Sequence, residues 1–326
     1  MSGLVDEHAE NNTGLPAVEK SAVAAFLETG TLRMNPLGFV VLALAAIFFL
    51  YQVVGGGITL LLFGQSITND NVQWMRVATM LAQIVFLLIP TLILMRVQHG
   101  SICPTLPWRI PKATEFVLAV VGVFSLQQVM EGYLFFQDKI PLPESIRPFL
   151  EAVRKLIEET YAMLVQAHSP SELLFVIIVV ALTPAICEEL LFRGLIQKNL
   201  TLATNKKWGF VLTGIIFGLY HVNPFLIVPL VGLGILFGFF MARSETILIP
   251  MAAHFMNNLV SVIGVYYESD IKDSSALSMF NSLSDYSATF VLSTTIGFGI
   301  IFLITMYFYW QVTSGFRASA GHEASV

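Results

Sequence analysis

The chain is 326 residues long, 56% hydrophobic and 12% charged, with a formal charge of −5 and a mean hydropathy of +0.75. A soluble domain is nearer half apolar and a quarter charged, so a single soluble core does not account for this composition. The scattered charge excludes a basic face for nucleic acid, and no nucleic-acid partner is expected. The two cysteines, Cys103 and Cys187, show neither paired secretory spacing nor a CxxC metal pattern.

Residues 1–36 form a polar segment of mixed charge, unlike the short basic stretch and apolar run of a cleavable signal, so the first span is expected to stay as an anchor. About eight apolar runs follow, each read as a helix crossing a hydrocarbon layer of about 30 Å. They fall near Leu37–Phe63, Val72–Met95, Phe116–Phe136, Leu173–Gln197, Trp208–Val222, Phe225–Met241, Ile247–Tyr267 and Ala288–Val312. The fold class is therefore all-α, a polytopic transmembrane helical bundle in contact with the lipid bilayer. Gly55, Gly56 and Gly57 predict a kink or tilt in the first span, and Gly232, Gly234 and Gly238 mark the sixth as an interior helix that neighbours approach closely.

Residues 137–171 are different in kind. Pro141, Pro143 and Pro148 precede Glu151, Arg154, Lys155, Glu158 and Glu159 set among Leu and Val at helical spacing, which predicts a turn and then an amphipathic helix between spans three and four. The organisation is thus 1–36, a cytoplasmic polar segment; 37–136, three spans; 137–171, the extramembrane loop; 172–267, four spans; and 268–326, a loop, the last span and a short tail. With the N-terminus inside, the inner connections carry about ten Lys and Arg, among them Arg96, Arg109, Lys206 and Arg243, against about five outside, including Lys139, Arg154 and Lys272. Both termini are expected to be cytoplasmic, in the cell or plasma membrane if the source is bacterial.

Ionisable groups at membrane depth cost a few kcal/mol each on insertion scales, so each calls for a partner or a role. The fourth span carries Glu188, Glu189 and Arg193, the fifth His221, and the seventh His254, Asn257 and Asn258; the third carries Gln127, Gln128 and Glu131, toward its outer end. At 1.5 Å per helical residue, Glu188 lies roughly 15–18 Å from its cytoplasmic helix end, His221 about 20 Å, and His254 and Asn258 about 10–17 Å. One layer can hold all four. Glu189 and Arg193 stand four apart in the favoured order for a helical ion pair, which is a structural reading. Glu188 is about 100° round the helix and stays available as a general base.

A buried Glu, two His and an Asn can hydrolyse a peptide bond: Glu188 with His221 would deprotonate a water, and His254 with Asn258 would hold the oxyanion. The competing version is a divalent metal such as zinc on Glu188, His221 and His254; HExxH is absent and Asn is a poor zinc ligand, so metal-free catalysis without a cofactor is favoured. Cys187 beside Glu188 is read as a small buried hydrophobe rather than a nucleophile. A single intramembrane His more often makes one interhelical hydrogen bond than does chemistry, and a scaffold without turnover or a transporter also wants buried polar groups. No internal repeat supports the transporter.

The runs Glu188-Glu189-Leu-Leu-Phe-Arg193, Phe217-Gly-Leu-Tyr-His221 and His254-Phe-Met-Asn-Asn258 read as EExxxR, FxxxH and HxxxN, in order and on three spans. This pattern resembles the CPBP family of intramembrane peptidases, which includes type II CAAX prenyl endopeptidases and proteins linked to bacteriocin processing and self-immunity. The resemblance covers Leu173 to Tyr267 and implies that 172–267 is a peptidase core acting on a membrane-associated protein or peptide. It implies that Glu188 and His221 activate water, that His254 and Asn258 stabilise the oxyanion, and that Glu189, Arg193 and Phe217 support the site. It leaves the metal open, and the cavity is expected to be entered from the cytoplasmic side.

Overall fold

The computed structural model describes residues 34–64, 68, 70–102, 106–141, 143–270 and 286–323, with side chains to 267 in the penultimate helix and to 313 in the last. The expected N-terminal segment up to residue 33, Cys103 and Lys272 lie outside the described residues. Helices run over α1 (Pro36–Phe63), α2 (Val72–His99), α3 (Ala113–Gln137), α4 (Arg147–Val165), α5 (Pro170–Ala203), α6 (Lys206–Tyr220), α7 (Ile227–Ser244), α8 (Leu248–Asp270) and α9 (Ala288–Glu323). Seven of these are long and apolar enough to cross a membrane. The protein is an integral multi-pass membrane protein.

Two of the nine helices among the described residues are not such spans. α4 is the expected amphipathic helix between the third and fourth spans. α6, expected as a full span over Trp208–Val222, is 15 residues long and ends at Tyr220. Its length of about 22 Å falls short of a hydrocarbon layer. The helix stops because Val222 takes a φ of +52°, which turns the chain before Asn223 and Pro224 and which β-branched residues rarely adopt. α6 and α7 are therefore an antiparallel hairpin, with a Lys206–Glu245 ion pair of 3.1 Å at the open end and residues 221–226 as the turn. Non-helical backbone at membrane depth needs internal partners. Here Phe225 N–H is held by the Asn223 side chain at 3.1 Å, and Gln137 Nε2 donates to the Phe225 carbonyl at 3.0 Å.

The hairpin is packed backbone against backbone. A Cβ on Gly234 would meet Gly214 O at 2.7 Å and Gly214 Cα at 2.9 Å, and one on Gly238 would meet Phe210 Cβ at 2.9 Å. Small residues let membrane helices approach this closely where no hydrophobic driving force separates them from lipid. Gly232 faces the flexible Met130 of α3 instead, at 3.4 Å. Gly234→Ala therefore has to push α6 and α7 apart, and a loss of about 1–3 kcal/mol is expected from overpacking; a fall in the unfolding midpoint of the purified protein, with no such fall for Gly232→Ala, is the check.

At the end of the bundle near Ser244, residues 106–112 lie across the helix ends. Ile247 N–H donates to Pro107 O at 3.0 Å, Thr246 Oγ1 to Arg109 O at 2.6 Å, and Arg109 joins the buried Glu115 at 2.8 Å. At the opposite end α4 is fastened by Arg76 of α2. The buried Arg76 guanidinium donates to the carbonyls of Leu164, Met163 and Gln166 and pairs with Glu172 at 2.6 Å. One end is closed by tight loops, the other by a strapped surface helix.

Candidate active site

α5 carries the polar centre, and its backbone departs from α geometry on both sides of it: Ile177–Leu182 and Leu190–Ile196 are π-helical. Such turns widen a helix and are frequent at functional sites. Thr183-Pro184 lies between them, and Pro184, having no N–H, cannot donate to the Val180 carbonyl four residues back. Asn258 Nδ2 of α8 donates to that oxygen at 3.3 Å. The Asn258 amide is thus partly spent on the backbone of α5, although its second N–H remains.

Glu189 and Arg193 form the expected pair at 3.0 Å with neither side chain exposed. The pair does more than the spacing indicated. Glu189 Oε1 also accepts from His254 Nδ1 at 2.8 Å, and Arg193 donates to the Gly234 carbonyl of α7 at 2.9 Å. Arg193 also lies over the Phe217 and Phe237 rings, 4.9 and 5.4 Å from their centroids. His254 stacks on Phe237 at 5.2 Å. One ion pair therefore ties α5, α7 and α8 together and fixes the His254 ring.

His221 follows the last turn of α6, where its Nδ1 lies 2.7 Å from the Phe217 carbonyl, so Nδ1–H donates and Nε2 points into the bundle. The Phe217 ring is buried and lies 4.6 Å from His221 and 5.9 Å from His254. Glu188 Oε2 stands 3.6 Å from His221 Nε2 and 4.0 Å from His254 Nε2. That oxygen is buried and has no hydrogen-bond partner among the described residues. Glu188, His221 and His254 thus meet at one point, with Glu189, Arg193 and Phe217 behind them; Asn258 is one turn along α8 from His254. Cys187 is buried in the apolar cluster that includes Leu191 and Phe217. Among the described residues no group of three or more His, Cys, Asp or Glu has metal-holding geometry. Gln127 points to Ser261 of α8 at 3.5 Å, and Glu131 lines a cavity at the α4 end.

Sequence reasoning missed the tyrosines. Tyr51 of α1 and Tyr220 of α6 lie within electrostatic reach of Glu188, and Gln83 of α2 faces Tyr51. Gln83, a buried amide inside an apolar run, was the one available signal.

Two cavities are bounded by α4, and neither is lined by Glu188, His221, His254 or Asn258. One of about 550 Å³ lies among Glu131, Phe135, Arg154, Asn223 and Phe225, beside His221 in sequence. Another of about 520 Å³ lies between α1 and α2, lined by Tyr51, Gly55, Thr79, Leu156 and Thr160. A smaller one of about 260 Å³ at the opposite end, near Lys206 and Glu245, reaches only the back of Arg193.

Residues 170–260 match the family described as "Type II CAAX prenyl endopeptidase Rce1-like". A Bacillus subtilis (strain 168) protein named "Putative membrane peptidase YdiL" is 33% identical over 87 residues, which is 27% of this chain and 36% of that protein. The chain thus spans about a third of the length of that relative. No solved structure matches the chain. The matched segment holds α5, α6, α7 and the part of α8 that carries His254 and Asn258, so the similarity to these membrane peptidases falls on the helices that form the polar centre.

Proposed function

We propose that the protein is a membrane-embedded endopeptidase in which Glu188 and His221 activate a water for attack on a peptide bond. The observation that carries this reading is the placing of one Glu188 oxygen between two imidazole Nε2 atoms, 3.6 and 4.0 Å away. Glu188 takes the proton from water as general base, and His221, oriented by the Phe217 carbonyl, shares it and returns it to the leaving amine. His254 holds Nδ1–H toward Glu189, and protonated on Nε2 as well it donates to the oxyanion. Asn258 supplies its remaining N–H.

The substrate is a membrane-associated protein or peptide. The family description supports a CAAX-type substrate; a bacteriocin-type precursor is the alternative that the motif resemblance keeps open. The test is cleavage of a quenched-fluorescence CAAX-type peptide by the purified protein in detergent, with and without a chelator, beside His254→Ala. Wild-type turnover indifferent to chelator and lowered about 100-fold or more in the variant is expected, the usual size for loss of an oxyanion donor. Loss of wild-type turnover to the chelator would move Glu188, His221 and His254 to metal ligands. A wild type that cleaves no peptide would make the protein a scaffold.

A further inference from the structure

Asn257 is the residue before Asn258 on α8, and the two start on different faces of that helix. His254 and Asn258, four apart, both meet α5, at Glu189 and at the Val180 carbonyl. Ser261, four residues on from Asn257 and on its face, meets α3 instead: Gln127 Nε2 lies 3.5 Å from Ser261 Oγ, which donates to the Asn257 carbonyl at 3.3 Å. Adjacent helical side chains point about 100° apart, so spacing alone does not bring them together. The Asn257 side chain nevertheless reaches round to its neighbour, and its Nδ2 donates to Asn258 Oδ1 at 3.2 Å. Asn257 Oδ1 has no partner among the described residues, so the bond to Asn258 is the one side-chain hydrogen bond that Asn257 makes there.

The direction of this bond is set by a group that cannot donate. Pro184 leaves the Val180 carbonyl without its helical N–H, and a carbonyl only accepts, so the Asn258 amide turns its nitrogen to Val180, at 3.3 Å. Its oxygen then points to Asn257, which in turn has to present nitrogen. With either amide reversed, two oxygens would face each other. The Asn258 amide is therefore gripped at both ends, by Asn257 at its oxygen and by Val180 at its nitrogen, which fixes its plane and gives the second N–H one direction. A donor aimed in advance at the place where negative charge develops is worth more than one that must reorient.

We propose that Asn257 is a positioning residue for the reaction, holding the Asn258 amide so that the N–H not given to Val180 is aimed at the oxyanion. The proposal rests on the peptidase reading above. Asn257 touches no reacting atom and acts only through Asn258. Its loss therefore falls on kcat rather than on KM, and only while Asn258 is present.

The experiment measures kcat and KM on the same peptide for wild type, Glu188→Gln, Asn258→Ala, Asn257→Leu, Asn257→Leu combined with Asn258→Ala, and Ser261→Ala, at equal concentrations of folded protein. Asn258→Ala is expected to lower kcat about 100-fold, the effect of removing one oxyanion donor. Asn257→Leu keeps the size of the side chain and removes its donor; kcat should fall about tenfold with KM within about threefold, in keeping with the loss of one hydrogen bond. Substitutions that act through one another do not add, so the double variant should match Asn258→Ala within about twofold. Ser261→Ala removes the contact with α3 without touching Asn258 and should leave kcat within about twofold of wild type. An Asn257→Leu or Asn258→Ala kcat equal to wild type, with Glu188→Gln inactive, overturns the proposal while the peptidase reading stands. A loss from Asn257→Leu that recurs in the Asn258→Ala background, or that Ser261→Ala reproduces, also overturns it, because packing of α8 would then account for the effect. A wild type with no turnover on any peptide overturns the peptidase reading and this proposal together.

Discussion

Arg193→Ala should be the most destabilising single substitution in the core of this protein. It strips the counter-charge from Glu189, whose side chain has no solvent exposure, and leaves the Gly234 carbonyl without its donor. Removing one member of a buried pair typically costs about 3–5 kcal/mol, because the remaining charge stays buried and uncompensated. Here the loss also empties the space between the Phe217 and Phe237 rings. Thermal unfolding of the purified protein checks this, and Arg193→Ala with Glu189→Gln should recover part of the loss. A double variant no more stable than the single one would mean that Glu189 is not the group left stranded.

Glu188→Gln should do the opposite, abolishing turnover with no cost in stability. A general base contributes about 10²–10⁴ in rate, and glutamine matches the carboxyl in shape while having no basicity. The wild-type carboxylate oxygen is buried without a hydrogen-bond partner, an expensive arrangement for a charge. Neutralising it relieves that cost, so the unfolding midpoint of Glu188→Gln should equal or exceed that of wild type. Sites that trade stability for function behave this way.

Much of this was legible in the residue order. Apolar runs gave the spans because lipid leaves a membrane helix little freedom in length or composition. The i, i+4 spacing of Glu189 and Arg193 indicated their pair, and the depth estimate for Glu188, His221 and His254 agrees with their meeting at one point. The limits have physical causes. α6 reads as a span because its apolar run continues to Val222, whereas a positive φ at that residue, set by the turn into Asn223-Pro224, ends the helix at Tyr220. The second bond of Glu189, to His254, joins α5 to α8 and leaves no trace in the spacing along either helix.

Asn258 shows the same limit from the other side. Its place one turn from His254 marks it as a site residue, but the carbonyl it meets is freed by Pro184 on a different helix. Tyr220 was passed over because an aromatic residue in an apolar run is ordinarily core or lipid contact.

The central claim, that Glu188 drives peptide hydrolysis, is tested most directly by initial rates of peptide cleavage for wild type and Glu188→Gln at equal concentrations of folded protein, with the cut bond identified by mass spectrometry. The account predicts a single defined cut by wild type and a rate at least about 100-fold lower in the variant. Equal rates in the two proteins would contradict it, and would place the peptidase activity, and the base that serves it, somewhere other than this cluster.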